Sequence, residues 1–207
     1  MSCRKPTRAG ILLALSLPCA PLLAQAPPAA PPPRTFHDPT YKISIDIPAD
    51  WTFTRKDGEI STFHLDARSA PRTTRLRAVA AMPQNPFPAS TFSGAYVYLS
   101  VTPASSKASC ERQTVPPGHT PPTGYDRIQI DGIPFVHGHD EQKHICTTDR
   151  DETYTTLHRG ACYRLDLAIN NFCGGEVSGV KDISAQELEQ VRKRLEGIFA
   201  TVRFDSK

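Results

Sequence analysis

The chain has 207 residues, with 24 Lys and Arg against 21 Asp and Glu, 20 Pro, seven His and six Cys. Arg4, Lys5 and Arg8 carry the whole excess of three positive charges and lie in a leader segment, so the rest of the chain holds 21 charges of each sign. Without a net field, the electrostatic recruitment on which nucleic-acid binding depends is excluded, and the 181 residues left after a 26-residue leader suit a single domain.

The leader has three parts. Arg4, Lys5 and Arg8 form a positive region, residues 11–17 a short apolar run, and Ala24-Gln25-Ala26 a small-x-small cleavage signal, together a secretory signal peptide cut near Ala26. Pro18 and Pro21 interrupt the apolar run, which falls short of the ~20 residues a spanning helix needs. The expected product is secreted or periplasmic, with no transmembrane segment. Acylation at Cys19 is disfavoured by Leu17 and Pro18, which stand where lipoprotein processing needs small residues. Residues 27–36 read as a Pro-rich tether, five prolines within 27–33 favouring extended polyproline II.

Regular structure is expected from Tyr41. Ile43, Ile45 and Ile47 alternate with Lys42, Ser44 and Asp46, the period of a half-buried strand, and Pro48-Ala49-Asp50 ends it before Trp51 and Phe53 continue on a second strand. Asp57-Gly58 has the chemistry of a type I′ hairpin turn and predicts a returning strand at 60–65. A strand at 76–82 follows, and residues 82–88 are too rich in proline for a regular element. Val97, Leu99 and Val101 alternate with Tyr96, Tyr98 and Ser100 on a strand that ends at Pro103. The polar stretch 103–124, containing Pro116, Pro117, Pro121 and Pro122, reads as one long loop, and loops of this length usually carry function.

Asp131-Gly132 turns a hairpin between 127–130 and 133–147, and Arg159-Gly160 turns another between 153–158 and 161–168. In the last of these strands Tyr163, Leu165 and Leu167 share one face, while Cys162, Arg164 and Asp166 share the other, which reads as solvated. Asp149, Asp151 and Glu152 read as a solvated charge cluster in a polar turn. Ser184 and Glu187 form a capping box, Ile183 can staple onto Leu188, and Leu188, Val191, Leu195, Ile198 and Phe199 make one apolar helical stripe over 184–199. Val202 and Phe204 then alternate as a short closing strand.

The opening Tyr41-x-Ile43-x-Ile45-x-Ile47-Pro48-x-x-Trp51, the Ile130-Asp131-Gly132 hairpin and the closing helix running into Ile198-Phe199-Ala200-Thr201-Val202-Arg203-Phe204 resemble the PsbP-like family. The resemblance implies an α+β fold, a mostly antiparallel β-sheet flanked by helices, in a single domain over 37–207. It touches both ends of residues 35 to 206 through patterning and supplies no catalytic motif. The chain departs from the family in its proline-rich middle loop and in its sparse helix before Ser184.

Cys110, Cys146, Cys162 and Cys173 remain after the leader and read as two disulfides with three possible connectivities. Cys110 with Cys162 is favoured, because Cys162 points away from the core face and can staple the long loop; Cys146 with Cys173 is then left. No C-x-x-C is present, and a catalytic thiol beside His144 is disfavoured by an oxidising compartment. His137 and His139 fall on one side of a strand about 6.5 to 7 Å apart, a spacing that suits two metal ligands, while Asp140 points the other way. The plain alternative is a polar outer face on which Gly138 marks a bulge. Arg68, Arg72, Arg75 and Arg77 suit an anionic partner or lipid head group, against a solvated loop beside Asp66. Gly174-Gly175 lacks the Lys and Ser/Thr of a phosphate loop, and no hydrolase motif occurs.

These readings give a non-catalytic binding or accessory module of the cell envelope. Neither a cofactor nor a catalytic residue is assigned, and the partner is an unidentified envelope protein or ligand that meets the 103–124 loop and the face around Cys162 and Arg164. The alternative is a metal-binding protein or metal-dependent enzyme built on His137 and His139.

Overall fold

The computed structural model describes residues 31–83, 85–103, 105–116, 119, 125–174 and 179–205. The leader, the first part of the tether, Pro117, Pro121, Pro122 and Gly175 lie outside the described residues. The architecture is α+β. A seven-stranded antiparallel sheet is the central layer, in the order β3-β4-β5-β9-β8-β7-β6. Its strands are β3 (Thr52–Thr54), β4 (Arg75–Ala81), β5 (Phe92–Thr102), β6 (Asp126–Ile130), β7 (Ile133–Lys143), β8 (Thr147–His158) and β9 (Ala161–Phe172). A second sheet of three strands joins β1 (Arg34–Asp38), β2 (Ile43–Ile47) and β10 (Arg203–Phe204).

Regular structure therefore begins before Tyr41 and inside the expected tether. The prolines stop at Pro33, and from there Phe36 and Asp38 turn inward while Thr35 and His37 turn out, which is enough to pair β1 with β2. The hairpin turns Asp131-Gly132 and Arg159-Gly160 have positive φ at both residues, the geometry that two-residue hairpin loops require. Gly58 also has positive φ, yet no strand returns from it. Asp57 Oδ1 instead accepts the Phe63 N–H at 2.8 Å, and the chain winds into α1 (Phe63–Asp66). β3 pairs with β4 in place of the expected neighbour.

One sheet face carries the main core. Helix α3 (Ala185–Phe199) starts at a capping box in which Ser184 Oγ accepts the Glu187 N–H at 3.2 Å and the Glu187 carboxylate accepts the Ser184 N–H at 2.8 Å. Its stripe of Val191, Leu195, Ile198 and Phe199 is buried in one cluster with Ile43, Ile45 and Ile47 of β2 and with Val97, Leu99, Leu165 and Leu167 of the large sheet. Each such side chain contributes roughly 1.5–3 kcal/mol through burial.

The opposite face is not solvated, contrary to the sequence reading. Arg164 and Asp166 are fully buried, as is Cys162. The 103–124 stretch is not a structureless loop: it contains α2 (Lys107–Glu111) and a 3-10 turn at Arg112–Thr114, and these pack on β7, β8 and β9. Beside them α1 contributes Phe63 to a second cluster with Ala67, Ala70, Val79, Tyr98 and Ala168. Short helices thus form the covering layer that the sequence leaves undefined.

Gly138 belongs to this closure. It sits in regular register opposite Thr153, with no bulge, and a Cβ there would lie 2.0 Å from the carbonyl oxygen of Thr114. Glycine lets the 3-10 turn lie directly on β7.

Candidate functional site

The sequence places Asp149, Asp151 and Glu152 in a turn, but all three are in β8, whose alternate residues meet two different covered faces. Asp151 and Thr153 point to the face of Arg164 and Asp166. Arg164 Nε lies 2.9 Å from both Asp166 oxygens, and Nη2 reaches Asp166 Oδ1 at 2.5 Å, Ser69 Oγ at 2.7 Å and Thr153 Oγ1 at 3.3 Å. Its Nη1 donates to the Gln113 carbonyl of the covering 3-10 turn. One guanidinium therefore ties β8 and β9 to both segments that close over them.

That guanidinium faces two carboxylates, since Asp151 Oδ2 lies 3.6 Å from Nη2. Burial pushes the Asp151 carboxyl well above the usual carboxylate range, the Asp166 charge adds to the rise, and Arg164 offsets only part of it. Asp151 Oδ1 has no partner as an ionised oxygen. Once protonated it is a donor beside the Asp166 acceptor, and a neutral Asp151 leaves one positive and one negative charge in the interior. The cluster is a candidate acid by its proton affinity, but it is sealed beneath Ser69 and Gln113.

A second polar network fixes α1. Asp66 accepts from the hydroxyls of Tyr98 and Ser61 and from Asn170 Nδ2 at 2.8 Å. Burial and the neighbouring Asp66 charge push the Tyr98 phenol far above its ordinary range, so it acts as a fixed donor.

His137 and His139 are brought together on the α3 side of the sheet, in line with the fully buried Phe135. Glu152 bridges them: Oε2 lies 2.8 Å from His137 Nε2 and Oε1 2.9 Å from His139 Nδ1. Arg192 of α3 approaches the same carboxylate at 3.7 Å. Burial raises the Glu152 pKa, but the hydrogen bonds and charges of the two histidines outweigh it and bring the group down to about 2. The His139 imidazole is raised, chiefly by its bond to Glu152. His137 also stacks on Tyr154, ring centroids 4.6 Å apart, and Tyr154 stacks on Phe199 at 4.2 Å. Asp140 instead accepts from Gln142, and His144 lies 3.7 Å from Asp149. Among the described residues no group of three or more His, Cys, Asp and Glu is arranged to hold a metal ion.

Disulfides join Cys110 to Cys162, tying α2 to β9, and Cys146 to Cys173, tying the β7–β8 turn to the end of β9. In the chain-entropy account their separations of 52 and 27 residues correspond to about 4 and about 3.5 kcal/mol. Cross-links of this kind fit an exported protein. No helix among the described residues is long and apolar enough to cross a membrane.

No family model matches the chain, and no curated protein matches it. Similar solved structures include a PsbP protein. This is CyanoP of the cyanobacterium Synechocystis, at 10% identity over 88% of this chain and 99% of that one, with a TM-score of 0.43. LpqN, described as involved in cell envelope biogenesis of Mycobacterium tuberculosis, matches at 12% identity over 84% of this chain and 91% of its own, TM-score 0.45. A protein from Bacteroides thetaiotaomicron matches at 14% identity, TM-score 0.44; 84% of this chain is covered, but only 48% of that one. Likenesses this distant say nothing of activity or partner.

The four arginines of the sequence-predicted basic run separate into two kinds. Arg68 bonds Gln142 at 2.8 Å and lies 3.6 Å from Asp149. Arg77 is the extra residue of a bulge in β4, which aims it at the fully buried Asp38, 2.5 Å away, and over the Tyr41 ring. Arg72 and Arg75 are exposed and line an open groove. A different open groove, of about 780 Å³, lies beside the Cys146–Cys173 bridge, lined by His144, Thr148, Arg150, Phe172, Asp182 and Leu188 among others. Ile145 at its rim is fully exposed, and Phe172 is 38% exposed.

Proposed function

We propose that the protein is an exported, non-catalytic binding module of the cell envelope, released by cleavage near Ala26, and that it meets a protein partner at the Cys146–Cys173 end. The observation that carries this reading is Ile145, a large apolar side chain held fully in solvent on a disulfide-anchored turn beside an open groove. A large side chain fixed beside a groove can supply the anchor that becomes desolvated at the centre of a protein interface. In the 103–124 stretch, α2 and the 3-10 turn use their inner faces to cover Arg164, which leaves only the outer side of the described residues open to a partner.

Asp151, whose carboxyl is raised well above its ordinary range, is in the sealed interior and lines neither groove described here. That arrangement supports a structural role for this group over acid–base work on a ligand. The test is a photo-crosslinking amino acid placed at position 145 in cells, with the same group at exposed Leu65 as control. Discrete adducts from position 145 that position 65 does not give are expected. Identical adducts from both positions, or none from 145, would overturn the reading.

A further inference from the structure

Six of the 16 arginines of this protein are neutralised within it. Arg68, Arg77, Arg127, Arg150, Arg164 and Arg192 each reach a carboxylate. Arg72 and Arg75 stand three residues apart, reach none among the described residues, and line the same open groove of about 790 Å³. The other lining residues are Thr73, Thr102, Pro103, Ser105, Ser106 and Ser109, so the described lining holds five hydroxyls, two guanidiniums and no acid.

Both sides of the groove are built on fixed elements. The Thr74 N–H donates to the Pro71 carbonyl at 2.9 Å, closing the turn that presents Arg72 and Thr73, and Arg75 opens β4 opposite Val101. Thr74 Oγ1 and Thr102 Oγ1 lie 2.9 Å apart and join that turn to the end of β5. Ser106 caps α2 by accepting the Ser109 N–H at 3.2 Å, and the Cys110–Cys162 bridge pins the same helix to β9. Two guanidiniums that can only donate, with hydroxyls between them, leave a surplus of donors at a preorganised site. A tetrahedral oxyanion, which only accepts, is the matching ligand chemistry.

We infer that this groove binds a phosphate group carried on a larger ligand, with Arg72 and Arg75 as its paired donors and Thr73 and Ser109 as hydroxyl contacts. The site is separate from the Cys146–Cys173 end, and either can fail without the other. Phosphate chemistry has two sources in an envelope, soluble phosphate esters and lipid head groups, and the experiment separates them.

The oxidised protein without its leader is titrated with inorganic phosphate and with glycerol 3-phosphate while amide NMR shifts are followed, and is sedimented with phosphatidylglycerol or phosphatidylcholine vesicles. Shifts are expected to centre on Thr73, Arg75 and Ser109. Arg72→Gln plus Arg75→Gln should weaken binding about tenfold or more, as loss of two charge-assisted contacts requires, whereas Arg127→Gln should leave it unchanged. Both substituted residues are exposed, so an unaltered amide spectrum elsewhere establishes that the fold is intact. Sedimentation with phosphatidylglycerol alone, abolished by the double variant and at about 0.5 M salt, where the screening length is roughly 4 Å, assigns the lipid source. Binding of the soluble esters without vesicle binding assigns the other. No binding of any of these probes, or binding indifferent to the double variant, overturns the inference.

Discussion

Arg164→Met removes a fully buried guanidinium and leaves the Asp166 carboxylate, also fully buried, with only the neutral donors Thr153 Oγ1 at 3.2 Å and protonated Asp151 beside it. It also takes the donor from Ser69 Oγ and from the Gln113 carbonyl, the two contacts through which the covering segments are tied down. Breaking a buried ion pair from one side costs about 3–5 kcal/mol, because the surviving charge stays desolvated. For a domain of this size, one kcal/mol corresponds to about 2–4 °C in Tm, so a fall of roughly 6–20 °C is expected. The decisive comparison is Arg164→Met combined with Asp166→Leu. Removing both charges eliminates the stranded carboxylate, and buried ion pairs replaced by apolar residues are often neutral in stability. The double variant should therefore recover most of the loss, with a coupling energy of about 2–3 kcal/mol. Urea unfolding at pH 7 with both disulfides oxidised measures each corner of the cycle. A cost below about 1 kcal/mol for Arg164→Met, or a double variant as unstable as the sum of the singles, would refute mutual compensation in this cluster.

Three further outcomes follow from the same face and its neighbour. Asp151 has a raised carboxyl pKa, so its contribution is present below the unfolded value of 3.8 and is lost as pH rises through the folded value. Asp151→Asn, which keeps a neutral group there, should flatten that decline; urea titrations across pH 4 to 9 that show the same slope in both proteins would count against a protonated Asp151. His139 also has a raised pKa, so its bond to Glu152 stabilises fully below 6.5 and is lost above the folded value. His139→Gln should cost less than about 1 kcal/mol at pH 5.5, because the ring is half-exposed, and nothing at pH 9; an equal cost at both would refute the linkage. Gly138→Ala drives a methyl against the Thr114 carbonyl and should cost about 1–3 kcal/mol, with faster amide exchange in 112–116; unchanged exchange there would mean the turn is not held by this approach.

The elements specified by neighbours in sequence were legible. A two-residue turn, a capping box and an apolar stripe each contain their own cause, which is why the turns at 131–132 and 159–160 and the helix after Ser184 stand where the sequence puts them. The second face of the sheet was not. Alternation along β9 tells that Cys162, Arg164 and Asp166 share a side, but a strand carries no mark of what packs on that side. Beside the segment of Ser69, what packs there is a five-residue helix and one 3-10 turn, too short for a periodicity of their own and embedded among prolines. Asp149, Asp151 and Glu152 misled for a related reason: alternate residues of β8 meet different covered faces, so a run of acids reads as a turn although Asp151 and Glu152 lie on opposite sides. Arg72 and Arg75 were visible as part of a basic run, but which of its four members are neutralised depends on Asp149 and Asp38, far away in sequence.

The covering layer depends on that polar face rather than on its own apolar content. Helix α2 buries Cys110 and the 3-10 turn buries Gln113 and Thr114, a small apolar payload for a segment that shields a guanidinium and two carboxyl groups. Three fixed points compensate: the Cys110–Cys162 bond, the Arg164 contact to the Gln113 carbonyl, and the direct seating of Thr114 on Gly138. Two of the three start from β9, where Cys162 and Arg164 are on one side and two residues apart. A change that loosens α2 is therefore expected to let water reach Arg164, and ionising Asp151 by raising the pH places a second negative charge beside Asp166 under the same segment. Through these contacts the covering segment and the buried charges are expected to open as one cooperative unit, so stabilising either should raise the hydrogen-exchange protection of both.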